Sequence, residues 1–128
     1  MTYSNNQLTD PAWCQNPLTG EYLLPGGFKV DAAQFAAGPD GKKRIQAGTL
    51  LGRTFAERDA GAKFGLAADA DDEVLILAFD VTDAVQNDDC TLVNPEMAVI
   101  FENRLPGWGS LSATLKGKLR AAYTTIVR

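Results

Sequence analysis

The stretch "EVLILAFDVTDAV", residues 73–85, decides how this chain folds. Val74, Leu75, Ile76, Leu77, Ala78 and Phe79 are consecutive apolar residues, the pattern of a strand buried on both faces. Beyond them Phe79, Val81, Asp83 and Val85 fall on one face, and Asp80 and Thr82 on the other. The run is far too short to cross a bilayer. It is entered through "ADADDEV", which holds Asp69, Asp71, Asp72 and Glu73. The alternating acids suggest a calcium loop, but the sharp-turn glycine and the distal bidentate glutamate are missing. They read instead as a solvated turn whose charges guard the apolar run against aggregation.

Upstream, "RIQAGTLLGRT" (residues 44–54) reads as two short strand pieces around Gly48. An isolated glycine in a strand marks a bulge, a tight bend or a close backbone approach. "ERDAGAK" (57–63) reads as a loop. Further back, Pro25-Gly26-Gly27 and "GPDGKK" (38–43) are turns. "DAAQFAAG" (31–38) is either one helical turn capped by Asp31 or a loop. Downstream, "CTLV" and "MAVIFENRL" are strand-like and are split by Asn94-Pro95. In "GSLSATLKGKLRAAYTTIVR" (109–128), Leu111, Leu115, Leu119, Ala122 and Ile126 recur at helical steps, with Lys116, Lys118 and Arg120 off the stripe. The spacing predicts an amphipathic helix over about 110–125 with Ser110 as N-cap. Gly117 weakens it by roughly 1 kcal/mol. Short strands followed by one helix make an α+β domain, mostly β, over residues 21–128.

Residues 1–20, "MTYSNNQLTDPAWCQNPLTG", are polar and proline-punctuated and show no periodicity. They read as an extended arm that buries little surface by itself. Trp13 stands out, because a tryptophan in such a segment calls for a docking site. Either it folds back on its own domain or it anchors on another chain.

Composition narrows the chemistry. The chain has 128 residues, enough for one domain with a real core. It has no histidine, which removes every Ser-His and Cys-His nucleophile pair and the commonest neutral metal ligand. Cys14 and Cys90 form no CxxC pair, and the expected state is two reduced thiols with Cys90 buried. "DVTD" and "QNDDC" offer paired acids, but nothing in the sequence sets the distance between two carboxyls. Residues 55–103 carry two basic groups against twelve acidic ones, whereas residues 104–128 carry five basic and none acidic. The acidic middle argues against nucleic acid as a partner. The N-terminus has neither the basic cluster nor the apolar core of a secretory signal, so no membrane or export role is expected. No catalytic constellation, cofactor fingerprint or metal motif emerges.

Taken together, "RIQAGTLLGRT", "KFGLAADADDEVLILAFDVT" and "VNPEMAVIFENRL" resemble the lambda-type head decoration (cement) proteins of tailed bacteriophages. The resemblance rests on Gly48, Thr49, Leu51 and Gly52, then Leu75, Leu77, Asp80 and Val81, then Met97, Val99 and Phe101. The long polar N-terminus and the basic C-terminus depart from the family pattern. The resemblance implies a small β-tulip-like barrel or sandwich without catalytic activity. It also implies a homotrimer bound to the major capsid protein on the outer surface of the virion, after synthesis in the host cytoplasm. Gly48 and Gly52 would be structural, letting short strands turn tightly. The arm would be the grip, with Leu8, Trp13 and Leu18, and Tyr22 just beyond it, as capsid contacts. Two other readings stay open: a small-molecule-binding or hydrolytic β domain using the acidic middle, and another virion part such as a spike or fibre base.

Overall fold

In the computed structural model, which describes residues 11–128, the strands are short. In chain order they are β1 (Phe28–Lys29), β2 (Leu50–Arg53), β3 (Gly65–Leu66), β4 (Glu73–Ile76), β5 (Asp89–Cys90), β6 (Val99–Phe101) and β7 (Thr124–Ile126). Among the described residues two α-helices interrupt them, α1 (Phe55–Asp59) and α2 (Ala113–Ala122). β2 is the middle strand of a sheet ordered β3-β2-β4, antiparallel throughout, with Leu51 opposite Leu75 and Gly52 opposite Val74. β1 pairs with β5 antiparallel, and β6 with β7 parallel. Single bridges stitch these pieces together, among them Leu77 to Leu92, Ile45 to Val81 and Cys14 to Ile100. Strand content exceeds helix content only slightly, 25% against 23%, so the domain is α+β as expected. Its sheets are not closed into a barrel.

The apolar run lies where its pattern puts it. Val74, Leu75, Ile76, Leu77 and Ala78 are all buried, and Ile76 and Leu77 are wholly so. The regular ladder stops at Ile76. Beyond it the chain continues in bridges, with Ala78 N donating to Thr91 O (2.8 Å) and Val81 N to Ile45 O (2.9 Å).

Three expectations change. The C-terminal helix spans Ala113–Ala122 rather than 110–125, and its N-cap is Ser112, whose Oγ accepts from Leu115 N at 3.1 Å. Ser110 instead closes a 3-10 turn that follows the left-handed Gly107, and Leu111 is extended. At the other end Tyr123 leaves the helix because its ring is needed in the core. Its hydroxyl donates to Val93 O (2.8 Å) and accepts from Ile76 N (2.9 Å), and burial pushes its pKa up. The β-branched Thr124, Thr125 and Ile126 then form β7, as such residues favour. Residues 57–63 are not wholly loop, since α1 covers their first part. Thr54 and Glu57 form a capping box there, Thr54 Oγ1 accepting from Glu57 N and Glu57 Oε1 from Thr54 N.

The third change concerns the arm. Within the described residues, 11–20 are not an extension from the domain. Trp13, Cys14 and Leu18 belong to the same core as Leu51, Ile76, Ile100 and Leu119. Leu8 lies outside the described residues.

Candidate interaction surface

Gly48 shows why the N-terminal segment is held. Its φ is +93°, a conformation that L side chains rarely adopt. A Cβ there would stand 2.7 Å from Pro106 Cδ and 2.9 Å from Trp13 Nε1. The missing side chain therefore lets Trp13 and Pro106 close over the turn that leads into β2, a close approach anticipated from the sequence. The polar residues around Trp13 serve the same docking. Asn16 Oδ1 accepts from Val99 N (2.9 Å), Gln15 N donates to Val99 O (2.9 Å), and Trp13 O accepts from Phe101 N (2.8 Å). Trp13 and Leu18 are thus core residues, 5% and 1% exposed, and not the surface contacts expected of them. Tyr22 is half-buried in a 3-10 turn, its carbonyl accepting from Asn94 N.

Gly52 has a different reason. A Cβ there would overlap the carboxylate of Asp71, which is buried and accepts from Ala68 N at 2.8 Å. The other acids of residues 69–73 are also tied down. Asp72 accepts from Phe55 N (2.9 Å), Glu73 pairs with Arg53 (2.7 Å), and Asp69 accepts from Ser112 Oγ. Lys118 Nζ donates to the carbonyls of Asp69 and Asp71. Each carboxylate serves a separate structural bond, so the four do not converge. Among the described residues no group of three or more acidic or cysteine side chains is placed to hold a metal ion. Cys90 is half-buried rather than buried, and desolvation, helped by Asp89 and Asp88, raises its thiol to about 11.

Two exposed apolar features flank β2, besides the scattered exposed residues Val85, Met97, Ile126 and Val127. Past its end, α1 presents Phe55, 48% exposed, with the Arg58 guanidinium 4.6 Å from the ring centre. Asp72 and the capping box fix this turn in place. At the start of β2 a shallow apolar groove of about 200 Å³ runs between edge strand β3 and the loop 105–111. Leu50, Leu66, Leu105, Pro106 and Leu111 line it, and Leu66 is 51% exposed. Beside that loop the surface is basic. Lys116 and Arg120 lie 5.4 and 5.5 Å from the Trp108 ring centre, and Arg104 lies over Phe101. Arg120 also forks the buried Glu102 at 2.9 and 2.7 Å, and these hydrogen bonds hold the Glu102 carboxyl below its ordinary range.

Sequence reasoning took residues 57–63 for an exposed loop, missing the helix that presents Phe55, and gave no sign of the groove. Thr54-x-x-Glu57 ahead of a loop-like tract was a readable helix start. The groove had no local signal, because its walls come from three separate segments. No protein-family model, curated protein or solved structure matches this chain.

Proposed function

We propose that the chain is a capsid decoration protein. It sits as a homotrimer on the outer surface of a tailed-phage head, bound to the major capsid protein, and stabilises the shell without catalysing a reaction. One observation carries the reading: the segments that resemble the lambda-type pattern belong to one packed unit. Leu51 of the first lies opposite Leu75 of the second, and Ile100 of the third shares their core. The resemblance thus falls on the residues that define the fold rather than on scattered turns. A binding or hydrolytic role for the acidic middle draws no support from Asp69, Asp71, Asp72 and Glu73, which are bonded to separate partners.

The test is to add the purified chain to expanded, undecorated heads of the phage that encodes it. Decoration predicts that the chain co-sediments with heads in multiples of three at saturation and raises their heat resistance. A chain that leaves heads bare but binds tails or fibres supports the spike or fibre-base reading instead. A chain that binds no virion part overturns both.

A further inference from the structure

We infer that the face built on Phe101 and Trp108 binds an acidic segment of a protein partner through Arg104, Lys116 and Arg128. The inference rests on the decoration reading only for the partner's identity, the shell; the face itself stands on its own geometry. Arg104 and Arg128 lie 5.2 and 5.5 Å from the Phe101 ring centre, and Lys116 lies 5.4 Å from that of Trp108. Arg120 joins the two groups, because it stacks on Trp108 and forks Glu102, the neighbour of Phe101. Glu102 cancels the charge of Arg120 and leaves the other three. Among the described residues none of those three pairs with a carboxylate side chain. Arg104 donates instead to the carbonyls of Arg128 (3.0 Å) and Ala12 (3.4 Å), and Asn103 holds the same Arg128 carbonyl. The face stays positive even with a free carboxylate at Arg128. Residues 103–128 contain no Asp or Glu, and their fifth cation, Lys118, is engaged by the carbonyls of Asp69 and Asp71. Contact with a ring places a cation without removing its charge, so the three are held ready for an anion.

The surroundings decide which anion. A guanidinium fork suits carboxylate and phosphate alike. A single nucleic-acid strand adds base stacking to its phosphate contacts. Here Phe101 is buried and half-buried Trp108 already carries two cations, which takes both rings from stacking with a base. A long polyanion or a broad anionic membrane also overruns so small a face. It then meets the charge of residues 55–103, which carry twelve acidic groups against two basic ones and repel it. A short acidic segment of a protein brings its carboxylates to these cations alone. Contacts of this kind steer encounter and fix register more than they add affinity.

A titration of the chain with a short Glu-rich peptide, followed by amide NMR, tests this. It is run at about 0.01 M salt, where charges act over about 30 Å, and at about 0.15 M, where they act over about 8 Å. Shifts are expected at Asn103, Arg104, Lys116, Arg120 and Arg128, with an affinity that falls as salt is raised. Lys116→Gln combined with Arg128→Gln should weaken the complex by about two- to tenfold at low salt, the worth of two exposed charge contacts. Lys42→Gln removes the same kind of charge from the exposed turn at 38–43 and should change little. Among the described residues neither the Lys116 nor the Arg128 side chain donates a hydrogen bond, so the double variant should melt with the parent. If it does not, Lys116→Gln alone should give the same loss at smaller size. A spectrum unchanged by the peptide up to about 1 mM, shifts that fall elsewhere, or a loss in Lys42→Gln equal to that of the double variant would each overturn the proposal. So would tighter binding of a single-stranded DNA oligonucleotide, or of vesicles of anionic lipid, than of the peptide. Its fate is separable from that of decoration. Heads coated by a chain that ignores the peptide sink this inference alone, whereas a chain that takes the peptide at this face and leaves heads bare sinks the decoration reading alone.

Discussion

Trp13 and Phe55 are both aromatic residues set in hydrophilic sequence, and they meet opposite fates, 5% against 48% exposed. The difference lies in what arrives to cover them. Residues 98–106 come to Trp13 from far along the chain. Phe101 N donates to its carbonyl, and Gly48, lacking a side chain, lets Trp13 and Pro106 come close. Phe55 has Arg58 on its ring and Asp72 on its backbone, and the open pocket it shares with Lys118, Ala121 and Ala122 leaves the ring half exposed. Burial of an aromatic is therefore decided by long-range partners, and local composition gives little warning of it.

The sharpest way to break this contrast is to truncate each ring. Trp13→Ala should cost about 3–5 kcal/mol of unfolding free energy, as for other buried large aromatics. A denaturant titration with an unchanged midpoint would mean that Trp13 is peripheral. Gly48→Ala comes next. The positive φ costs roughly 1–2 kcal/mol for an L residue, and the overlap with Pro106 and Trp13 adds about 1–3 more. This variant should also shift Trp13 fluorescence, because it pushes on the ring.

A smaller effect comes from Glu102, on the segment that covers Trp13. Its pKa is lowered in the fold, so the stability it contributes is present above its ordinary value near 4.5 and is lost as the pH falls through the lowered value. The stability gap between the parent and Glu102→Gln should thus be full at neutral pH and close in acid. The gap should be modest, because Arg120 is half exposed and solvent screens the pair. A gap that widens in acid would reverse the assignment. Phe55→Ala should do least to stability, within about 0.5 kcal/mol, as expected of an exposed site. A large loss there would show that α1 is a packing element, and would erase the contrast with Trp13.

Legibility in the sequence follows the same division. The buried run carries its signal locally over 74–78, although its ladder ends at Ile76 and Phe79 is half-buried, and the strand that follows Gly48 is regular over Leu50–Arg53. Gly48 as a point of close approach was readable, but the identity of what approaches was not. The helix was readable and its ends were not. Leu111 and Ile126 continue the helical spacing, yet both lie outside α2, because Gly107 and the buried hydroxyl of Tyr123 set the boundaries. The fate of Trp13, Cys14 and Leu18 was hidden for a further reason. Asn and Gln beside them look like the composition of a free arm, whereas Asn16 here pairs with the backbone of β6.

The bridge between Cys14 and Ile100 also bears on how the chain is made. A ribosome releases Trp13 well before residues 98–106, the partners that bury it, emerge. Until then a growing chain carries a bare tryptophan and an unpaired strip of backbone, in the condition that favours association between nascent chains. Topologies dominated by such distant pairings also fold slowly. The growing chain therefore passes through a sticky interval during translation. The Asn, Gln and Pro residues around Trp13 keep the waiting segment hydrated and poor at pairing with its neighbours.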